Sequence, residues 1–287
     1  MPLYLFASDL HGSIERYRKL FKIILKEKPE AVFLGGDLLP AKLIPESLRG
    51  ESSYDFILDF LGARLGKLKT QLGNRYPGIF AILGNDDPRI QEVAVKELEN
   101  QGLLVYLQSR VVPFQSYTLL GYCYVPPTPF LLKDWERYDV SRYLEPGDIA
   151  PEEGNHSFAV GASELRYSTI KSDLKELAGD KDLSRAIFLF HTPPYGTSLD
   201  IINTQNRLYE GVERDKHQGS IAVRDFIQDR QPLITLHGHI HESFRHSGNW
   251  LEVLGNTVMM SAAYDGAELA LIRFDPEAPE KAIREII

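Results

Sequence analysis

Five short apolar runs in this sequence are each followed by an aspartate, a histidine or an asparagine, and glycine lies beside most of these polar residues. The polar residues are Asp9, Asp37, Asn85, His191 and His239. Helical patterns separate the apolar runs, and this alternation is typical of an α/β fold with a largely parallel sheet. Ligands of open α/β sheets bind beyond the carboxyl ends of the strands. We therefore expect these side chains to converge on one crevice.

Hydrophobic periodicity predicts the helices and strands of this fold. No linker divides residues 1–287, so a single domain is expected. Residues 123–162 break the pattern with prolines and aromatic residues, and we interpret them as a lid-like excursion from the sheet. The predicted strands are 3–8, 31–34, 78–83, 186–190 and 233–236, with hairpin-like strands over 103–122 and alternating strands over 250–274. The predicted helices are 13–28, 51–73, 163–178 and 220–228.

Composition narrows the classes of protein and of partner. The formal net charge is −8, which argues against a dedicated binder of long nucleic acids. The lone cysteine, Cys123, excludes an internal disulfide and a cysteine-rich metal site, and it fits a reducing, cytoplasmic compartment. No apolar run is long enough to span a bilayer, and the first residues lack the basic segment of a signal peptide, so no membrane association is expected.

Two pairs of polar residues have the spacing of metal ligands. In Asp9-Leu10-His11 and His239-Ile240-His241 one residue separates the two polar side chains. Because side chains alternate along an extended segment, each pair projects from one side of the backbone. Carboxylate, imidazole and amide oxygen together suit a borderline divalent cation such as Mn, Fe or Zn. The sequence therefore predicts a metal centre at the strand ends.

These residues also stand in the order of a known motif series. The segments are Asp9-Leu10-His11, Gly36-Asp37, Gly84-Asn85-Asp86-Asp87, His191 and Gly238-His239-Ile240-His241. In this order, over about residues 3–245, they resemble the motifs of the calcineurin-like metallophosphoesterases. The segments around His191, His217 and His239 further resemble the branch described as cyclic-nucleotide-phosphodiesterase-like.

The resemblance implies a fold, a metal centre and a nucleophile. The implied fold is a four-layer α/β/β/α sandwich of two mixed β-sheets. Two divalent ions are implied, and Mn, Fe, Zn and Co all accept the ligand set. The implied ligands of the first metal are Asp9, His11, Asp37 and His241, and those of the second are Asp37, Asn85, His191 and His239. Asp37 would then bridge the pair, and a hydroxide between the metals is the expected nucleophile.

One motif departs from the family pattern. Asp86 stands where the family usually has a histidine that protonates the leaving group or contacts the phosphate. An ionised Asp86 would repel phosphate and a protonated one could donate, so Asp86 is kept as a catalytic candidate. The second candidate is His217, for which a surface-loop role is equally open. Gly219 and Ser220 follow it at a predicted helix start, where free N–H groups favour phosphate, and both are expected to bind substrate together with Asn85.

Two further features have competing interpretations. Asp87 could support the metal ligands, but a carboxylate just before Pro88 also suits a helix start, which we favour. The aromatic residues in and beside the excursion could stack on a base, or they could cover a sheet edge or form a homo-oligomer contact, which we favour. They are Tyr122, Tyr124, Phe130, Trp135, Tyr138 and Tyr143.

The leading functional hypothesis is a dinuclear metal-dependent phosphoesterase that acts on phosphodiesters, with phosphomonoesters and cyclic nucleotides also open. Its partner would be a small phosphoester, with a nucleotide as one candidate. A non-catalytic metal-binding interaction module on the same fold is the alternative from another class, but all the implied ligand positions are filled, which favours an enzyme. A nuclease is the third hypothesis, and the acidic charge weighs against it.

Overall fold

The computed structural model describes residues 2–40, 55–203, 208–209, 212–213 and 215–287. Most strands of the described chain lie in two six-stranded sheets, with strand orders β14-β13-β1-β2-β3-β4 and β11-β12-β10-β7-β6-β5, and β8 and β9 form a separate ribbon. The strands are β1 Tyr4–Ala7, β2 Ala31–Gly35, β3 Gly78–Ile82, β4 Val105–Tyr106, β5 Arg110–Phe114, β6 Tyr117–Tyr122, β7 Ala186–Phe190, β8 Leu208–Tyr209, β9 Val212–Glu213, β10 Ile234–His237, β11 Leu251–Leu254, β12 Thr257–Ser261, β13 Ala270–Phe274 and β14 Ile283–Ile286.

Both large sheets are mixed, with parallel strands at the centre. In the first sheet β1 to β4 are parallel, and β13 and β14 are antiparallel additions at one edge. In the second, β12, β10, β7 and β6 are parallel, and β11 and β5 pair antiparallel at the edges. Helices flank the sheets, which confirms the predicted four-layer sandwich. They are α1 Ile14–Glu27, α2 Ala63–Leu72, α3 Glu92–Asn100, α4 Ala162–Tyr167, α5 Ile170–Ala178, α6 Ile221–Arg230 and α7 Ser243–Ser247.

Aromatic side chains hold the two sheets against each other. Tyr4 of β1 lies 6.1 Å from Phe114 and 6.2 Å from Tyr117 of the other sheet, measured between ring centroids. Phe80 of β3 meets Phe114 edge-on at 4.9 Å. Such offset contacts add to the free energy gained by burying the rings. The central strands β1, β2, β3 and β7 are apolar along their whole length because both faces of each sheet are covered.

The excursion over residues 123–162 is anchored by buried polar contacts. The Trp135 indole N–H donates to the backbone oxygen of Asp87 at 2.8 Å. Lys133 and Glu136 form an ion pair of 2.5 Å, and the side chains are 0% and 1% exposed. Both also bond to Thr128, through its backbone oxygen and amide at 2.6 and 2.7 Å. The Trp135 bond therefore attaches the excursion to the sandwich, and the buried ion pair with its bonds to Thr128 stabilises the excursion internally.

Several predicted boundaries differ from the structure. The helix predicted over 163–178 is two helices, α4 and α5, because Thr169 is extended and forms a capping box with Ser172 at the start of α5. The helix predicted over 51–73 begins with a π-helical segment, Phe56–Gly62, before α2, and residues 51–54 lie outside the described residues. Among the described helices none is both long and apolar enough to cross a bilayer.

Candidate metal centre

The strand ends bring the predicted ligands together. The parallel register aligns the ends of β1, β2 and β3, so the loops that follow them lie side by side. Backbone bonds lock the first two loops, since the Asp9 amide donates to Gly36 at 3.0 Å and the His11 amide to Asp37 at 2.8 Å. The second sheet contributes the ends of β7 and β10, joined by a 2.9 Å bond from the Gly238 amide to the His191 oxygen.

Four of the predicted ligands form a compact cluster. One ligand atom from each of Asp9, His11, Asp37 and His241 lies within 4.8 Å of all the others. The Nε2 atoms of His11 and His241 are 3.2 Å apart, and His241 Nε2 is also 3.2 Å from Asp9 Oδ1. These are the residues that the resemblance assigns to the first metal.

The chemistry of this cluster fits a bound cation. Asp9 Oδ2 is buried and has no hydrogen-bond partner, although most buried polar atoms in folded proteins have one. Two ring nitrogens that face each other need a proton or a metal ion between them. Oxygen and imidazole ligands together suit a borderline divalent ion.

A second group of ligand side chains adjoins the first through Asp37. His191 Nε2 lies 3.0 Å from Asn85 Oδ1 and 3.3 Å from Asp37 Oδ2. His191 Nδ1 contacts the Gly35 oxygen at 2.8 Å, and donation there would leave Nε2 free to ligate. The His239 ring centroid is 5.2 Å from that of His191. The residues predicted to hold the second metal are thus neighbours.

The backbone around the ligands is strained. Asp9, His11, Asp37 and His239 have φ values of 56°, 44°, 50° and 70°, in the left-handed region that side chains other than glycine rarely adopt. Such residues cost about 1–3 kcal/mol each and cluster at functional sites. Glycine is required at position 36, next to Asp37, because the backbone there passes close to the His191 ring. A Cβ on Gly36 would lie 2.6 Å from His191 Nδ1. This strained backbone lowers the stability of the fold and positions the ligand side chains.

Burial and the neighbouring charged groups shift the pKa values of the side chains in this cluster. Burial opposes ionisation of Asp9 and Asp37, but the facing imidazoles of His241 and His191 hold both pKa values below their usual range. Burial likewise opposes charge on His191, yet Asp37 raises its pKa to about 10. Burial lowers the pKa of His239 to about 3, which keeps this imidazole neutral and able to bind a metal. Metal binding would therefore displace protons from the cluster.

Asp86 and Asp87 have different surroundings. The Asp86 carboxylate accepts from the Asn85 side-chain Nδ2 at 3.0 Å and lies 3.8 Å from His11 Nδ1, so it borders the cluster. Burial and the charge of Asp37 raise its pKa. Asp87 is fully buried, and its carboxylate accepts from the amides of Leu38, Leu39 and Gly84 at 2.8–3.0 Å. The helix-start interpretation of Asp87 is wrong, because this side chain joins two ligand-bearing loops.

His217 forms a dyad with Asp200. Its Nδ1 lies 2.7 Å from Asp200 Oδ1, and Asp200 is fully buried. Three backbone amides also donate to the Asp200 carboxylate, and they hold it in place. His217 lines the same cavity, of about 650 Å³, as His239 and His241. The dyad therefore faces the space beside the metal ligands.

Gly219 and Ser220 already have protein partners. The Gly219 amide donates to Asp200 at 3.0 Å, and the Ser220 amide to the Pro193 oxygen at 2.9 Å. Asp139, from the excursion, accepts from the first amides of α6 at 2.7 and 3.2 Å. Substrate contacts by Gly219 and Ser220 stay a prediction, in which phosphate would have to replace these acceptors. Asp139 was not foreseen, because it lies about eighty residues from the helix that it caps.

The excursion contributes to the same cavity. Tyr122, Tyr124, Trp135 and Tyr138 are buried, and stacking on a ligand would need them exposed. Phe130 and Tyr143 are exposed and line the cavity. Only these last two of the six aromatic residues are thus accessible to a bound molecule.

The fold and the cluster define an α/β/β/α sandwich whose strand ends carry carboxylate and imidazole side chains that could hold a divalent metal ion. The sequence matches the family model of the calcineurin-like phosphoesterases over residues 3–243, so the chain belongs to that family.

Solved structures share the fold. The protein TT1561 of Thermus thermophilus is 19% identical with a TM-score of 0.58, covering 99% of this chain and 98% of its own. A dimetal phosphatase from Danio rerio is 11% identical with a TM-score of 0.52, covering 99% and 95%. In sequence, the chain is also similar to the uncharacterized protein MJ1162 of Methanocaldococcus jannaschii, which is 31% identical over 83 residues, 28% of this chain and 32% of that protein.

Proposed function

We propose that this protein is a dinuclear metal-dependent phosphoesterase that hydrolyses phosphodiesters, with phosphomonoesters and cyclic nucleotides as further candidate substrates. The observation that carries the proposal is the position of Asp37 between two groups of ligand side chains. Its Oδ2 lies 3.9 Å from His11 Nε2 on one side and 3.3 Å from His191 Nε2 on the other. A carboxylate in this position can serve two cations at once.

Different residues of this chain would hold the metals and position the ligand side chains in the proposed reaction. Asp9, His11, Asp37 and His241 would hold one metal, and Asp37, Asn85, His191 and His239 the other. When bound, two such cations activate water and neutralise the phosphoryl oxygens. The strained backbone and the buried bonds of Asp87 fix the ligand side chains in place, so little reorganisation is needed during the reaction.

His217 is the proposed donor of the proton that the leaving group takes. Asp200 orients the ring through Nδ1, which leaves Nε2 to donate to the leaving oxygen. This dyad supports His217 over a surface-loop role. Asp86 is the other candidate, since burial and the charge of Asp37 raise its pKa and a carboxyl group that is protonated can donate.

Turnover with defined metals tests the proposal. Protein stripped of metal and reloaded with Mn²⁺, Fe²⁺, Zn²⁺ or Co²⁺ is assayed with bis-p-nitrophenyl phosphate, p-nitrophenyl phosphate and 2′,3′- and 3′,5′-cyclic nucleotides. We expect metal-dependent hydrolysis that Asp37→Asn abolishes. Two bound metals per chain without turnover of any of these esters would favour the non-catalytic module.

The leaving group separates the roles of His217 and Asp86. We expect His217→Gln to slow hydrolysis of a phenyl ester, whose leaving group needs a proton, about 100-fold, and a p-nitrophenyl ester much less. His246→Gln is the matched control, since His246 lies outside the cavity. Equal losses with both esters would contradict proton donation by His217, and the same test on Asp86→Asn would then locate the acid.

A further inference from the structure

The cavity beside the metal ligands is much larger than a phosphoryl group. It has a volume of about 650 Å³ and is lined by His239, His241 and His217 and by residues of the excursion. Cavities of this size bind whole small molecules. If the phosphoryl group sits at the metal ligands, as the proposed function requires, the rest of the cavity faces the organic part of the substrate.

Most of the wall away from the metal ligands is apolar. The apolar lining residues there include Pro127, Pro129, Phe130, Val140, Tyr143 and Leu144. Phe130 and Tyr143 are 60% and 68% exposed, and both line this one cavity, so together they offer an accessible apolar surface. An apolar ligand that covered these two rings would remove this surface from water.

The prolines of the cavity wall lie in a part of the excursion that buried hydrogen bonds hold in place. Thr128 stands between two of the lining prolines, and the Glu136 carboxylate accepts from its amide and its hydroxyl at 2.7 and 2.6 Å. The Lys133 ammonium bonds to the Thr128 oxygen at 2.6 Å. Because this pair is buried, the proline segment is held by fixed contacts.

The charged groups on the wall are mostly negative. Among the described lining residues, five are acidic and one, Arg245, is a permanent cation. The Arg245 guanidinium already pairs with Asp265 at 2.9 Å and with Glu242 at 3.2 Å. Among the lining residues that the structure describes, a second anionic group on a ligand would therefore meet carboxylates with no unpaired guanidinium to balance it.

We propose that this cavity is a specificity subsite for the organic group of the phosphoester, and that the group is bulky, apolar or aromatic, and without further negative charge. An ammonium substituent is accepted, whereas nucleoside diphosphates, nucleoside triphosphates and other polyanions are rejected. The inference rests on the proposed function, because it places the phosphoryl group at the metal ligands.

Binding of simple phosphonates to the metal-loaded protein tests the subsite without turnover. Isothermal calorimetry measures the binding of two pairs of compounds. The first pair is methylphosphonate and 1-naphthylmethylphosphonate. The second pair is benzylphosphonate with a 4-aminomethyl group and benzylphosphonate with a 4-carboxyl group. We expect the naphthyl compound to bind about 30-fold more tightly than the methyl compound. The carboxyl compound should bind about tenfold more weakly than the aminomethyl compound. Equal affinities within both pairs would overturn the proposal.

Variants assign these preferences to the wall. Tyr143→Ala should reduce the naphthyl preference at least about threefold. The matched control is Tyr167→Ala, because Tyr167 is 67% exposed on α4 and lies outside the cavity. Glu145→Gln should improve binding of the carboxyl compound about threefold, with Glu176→Gln on α5 as its control. An effect of the controls as large as that of the wall variants would contradict the assignment.

A metal-independent arm separates this inference from the proposed function. By NMR, metal-free protein should bind 1-naphthylmethylammonium more tightly than 1-naphthoate. If this preference holds but no phosphoester is hydrolysed, the proposed function fails and the apolar, anion-rejecting cavity stands. If hydrolysis occurs but the two naphthalene compounds bind equally, the subsite fails and the phosphoesterase stands.

Discussion

Asp86 places a carboxylate at the border of the metal ligands, where the family motif resembled by this chain has histidine. The side chain is 43% exposed and lies 3.8 Å from His11 Nδ1. An ionised carboxylate there repels a phosphoryl group, and partial exposure reduces this repulsion to about 1 kcal/mol. We expect Asp86→Asn to bind inorganic phosphate about fivefold more tightly in the Mn²⁺-loaded protein, measured by calorimetry.

The control for this substitution is Asp225→Asn on α6, which should leave phosphate binding unchanged. Weaker phosphate binding by Asp86→Asn would contradict repulsion. It would indicate instead that Asp86 is protonated and donates to the anion, as its raised pKa allows.

Asp87 shows how one buried carboxylate can organise the loops around it. Its three backbone donors come from the loops after β2 and β3, and each buried N–H left without an acceptor costs about 1–3 kcal/mol. We expect Asp87→Ala to lower the free energy of unfolding by about 4 kcal/mol, measured by urea denaturation of the metal-free protein. Exposed Asp229→Ala is the control. A loss below about 1 kcal/mol would mean that water replaces the carboxylate.

Most of the candidate ligands could be predicted at the level of single residues because each follows an apolar run that ends abruptly. The role of Asp87 could not, since a carboxylate before a proline has the same local pattern whether it caps a helix or bonds to a distant loop. Its donors Leu38 and Leu39 lie almost fifty residues earlier in the chain. The Asp200–His217 dyad likewise depends on tertiary placement.

At the scale of elements, the buried pair Lys133–Glu136 determines how the excursion is held. Burial lowers the pKa of Lys133 and raises that of Glu136 to about 7, so each charge depends on the other. Removing one partner of a buried pair costs about 3–5 kcal/mol, because the remaining charge is uncompensated. We expect Lys133→Met to destabilise the protein by this amount in urea denaturation.

The double variant Lys133→Met/Glu136→Gln should recover part of the loss, because no charge is then left buried. Lys96→Met is the control, since Lys96 forms an exposed pair with Glu92 on α3 and should change stability by about 0.5 kcal/mol or less. A double variant as unstable as the single one would mean that packing, and not the pair, holds the excursion.

The regular elements were predictable because each carries its own period of apolar residues. The strands β1, β2, β3 and β7 are continuous apolar runs, and α1 repeats an apolar face that ends at a capped terminus. The excursion has no such period, since its order comes from single long-range bonds such as that of Trp135 to Asp87 and that of Asp139 to α6. The edge strand β14 was missed because its side chains alternate little in burial.

At the scale of the whole molecule, the candidate metal ligands join the two sheets. Asp9, Asp37 and Asn85 follow strands of the first sheet, whereas His191 and His239 follow strands of the second. Contacts between His191 and both Asn85 and Asp37 cross from one sheet to the other. A cation bound by both sets would therefore connect the halves of the sandwich.

Metal binding should consequently stabilise the whole fold. A ligand that binds only the folded protein adds about 2.7 kcal/mol at 100 times its dissociation constant, and structural metals behave in this way. We expect Mn²⁺ or Zn²⁺ to raise the Tm of the metal-free protein by at least about 3 °C in calorimetry, and EDTA to reverse the rise. The variant Asp37→Asn should lose the response, whereas Asp225→Asn should keep it. An unchanged Tm at saturating metal would contradict a site that spans the two sheets.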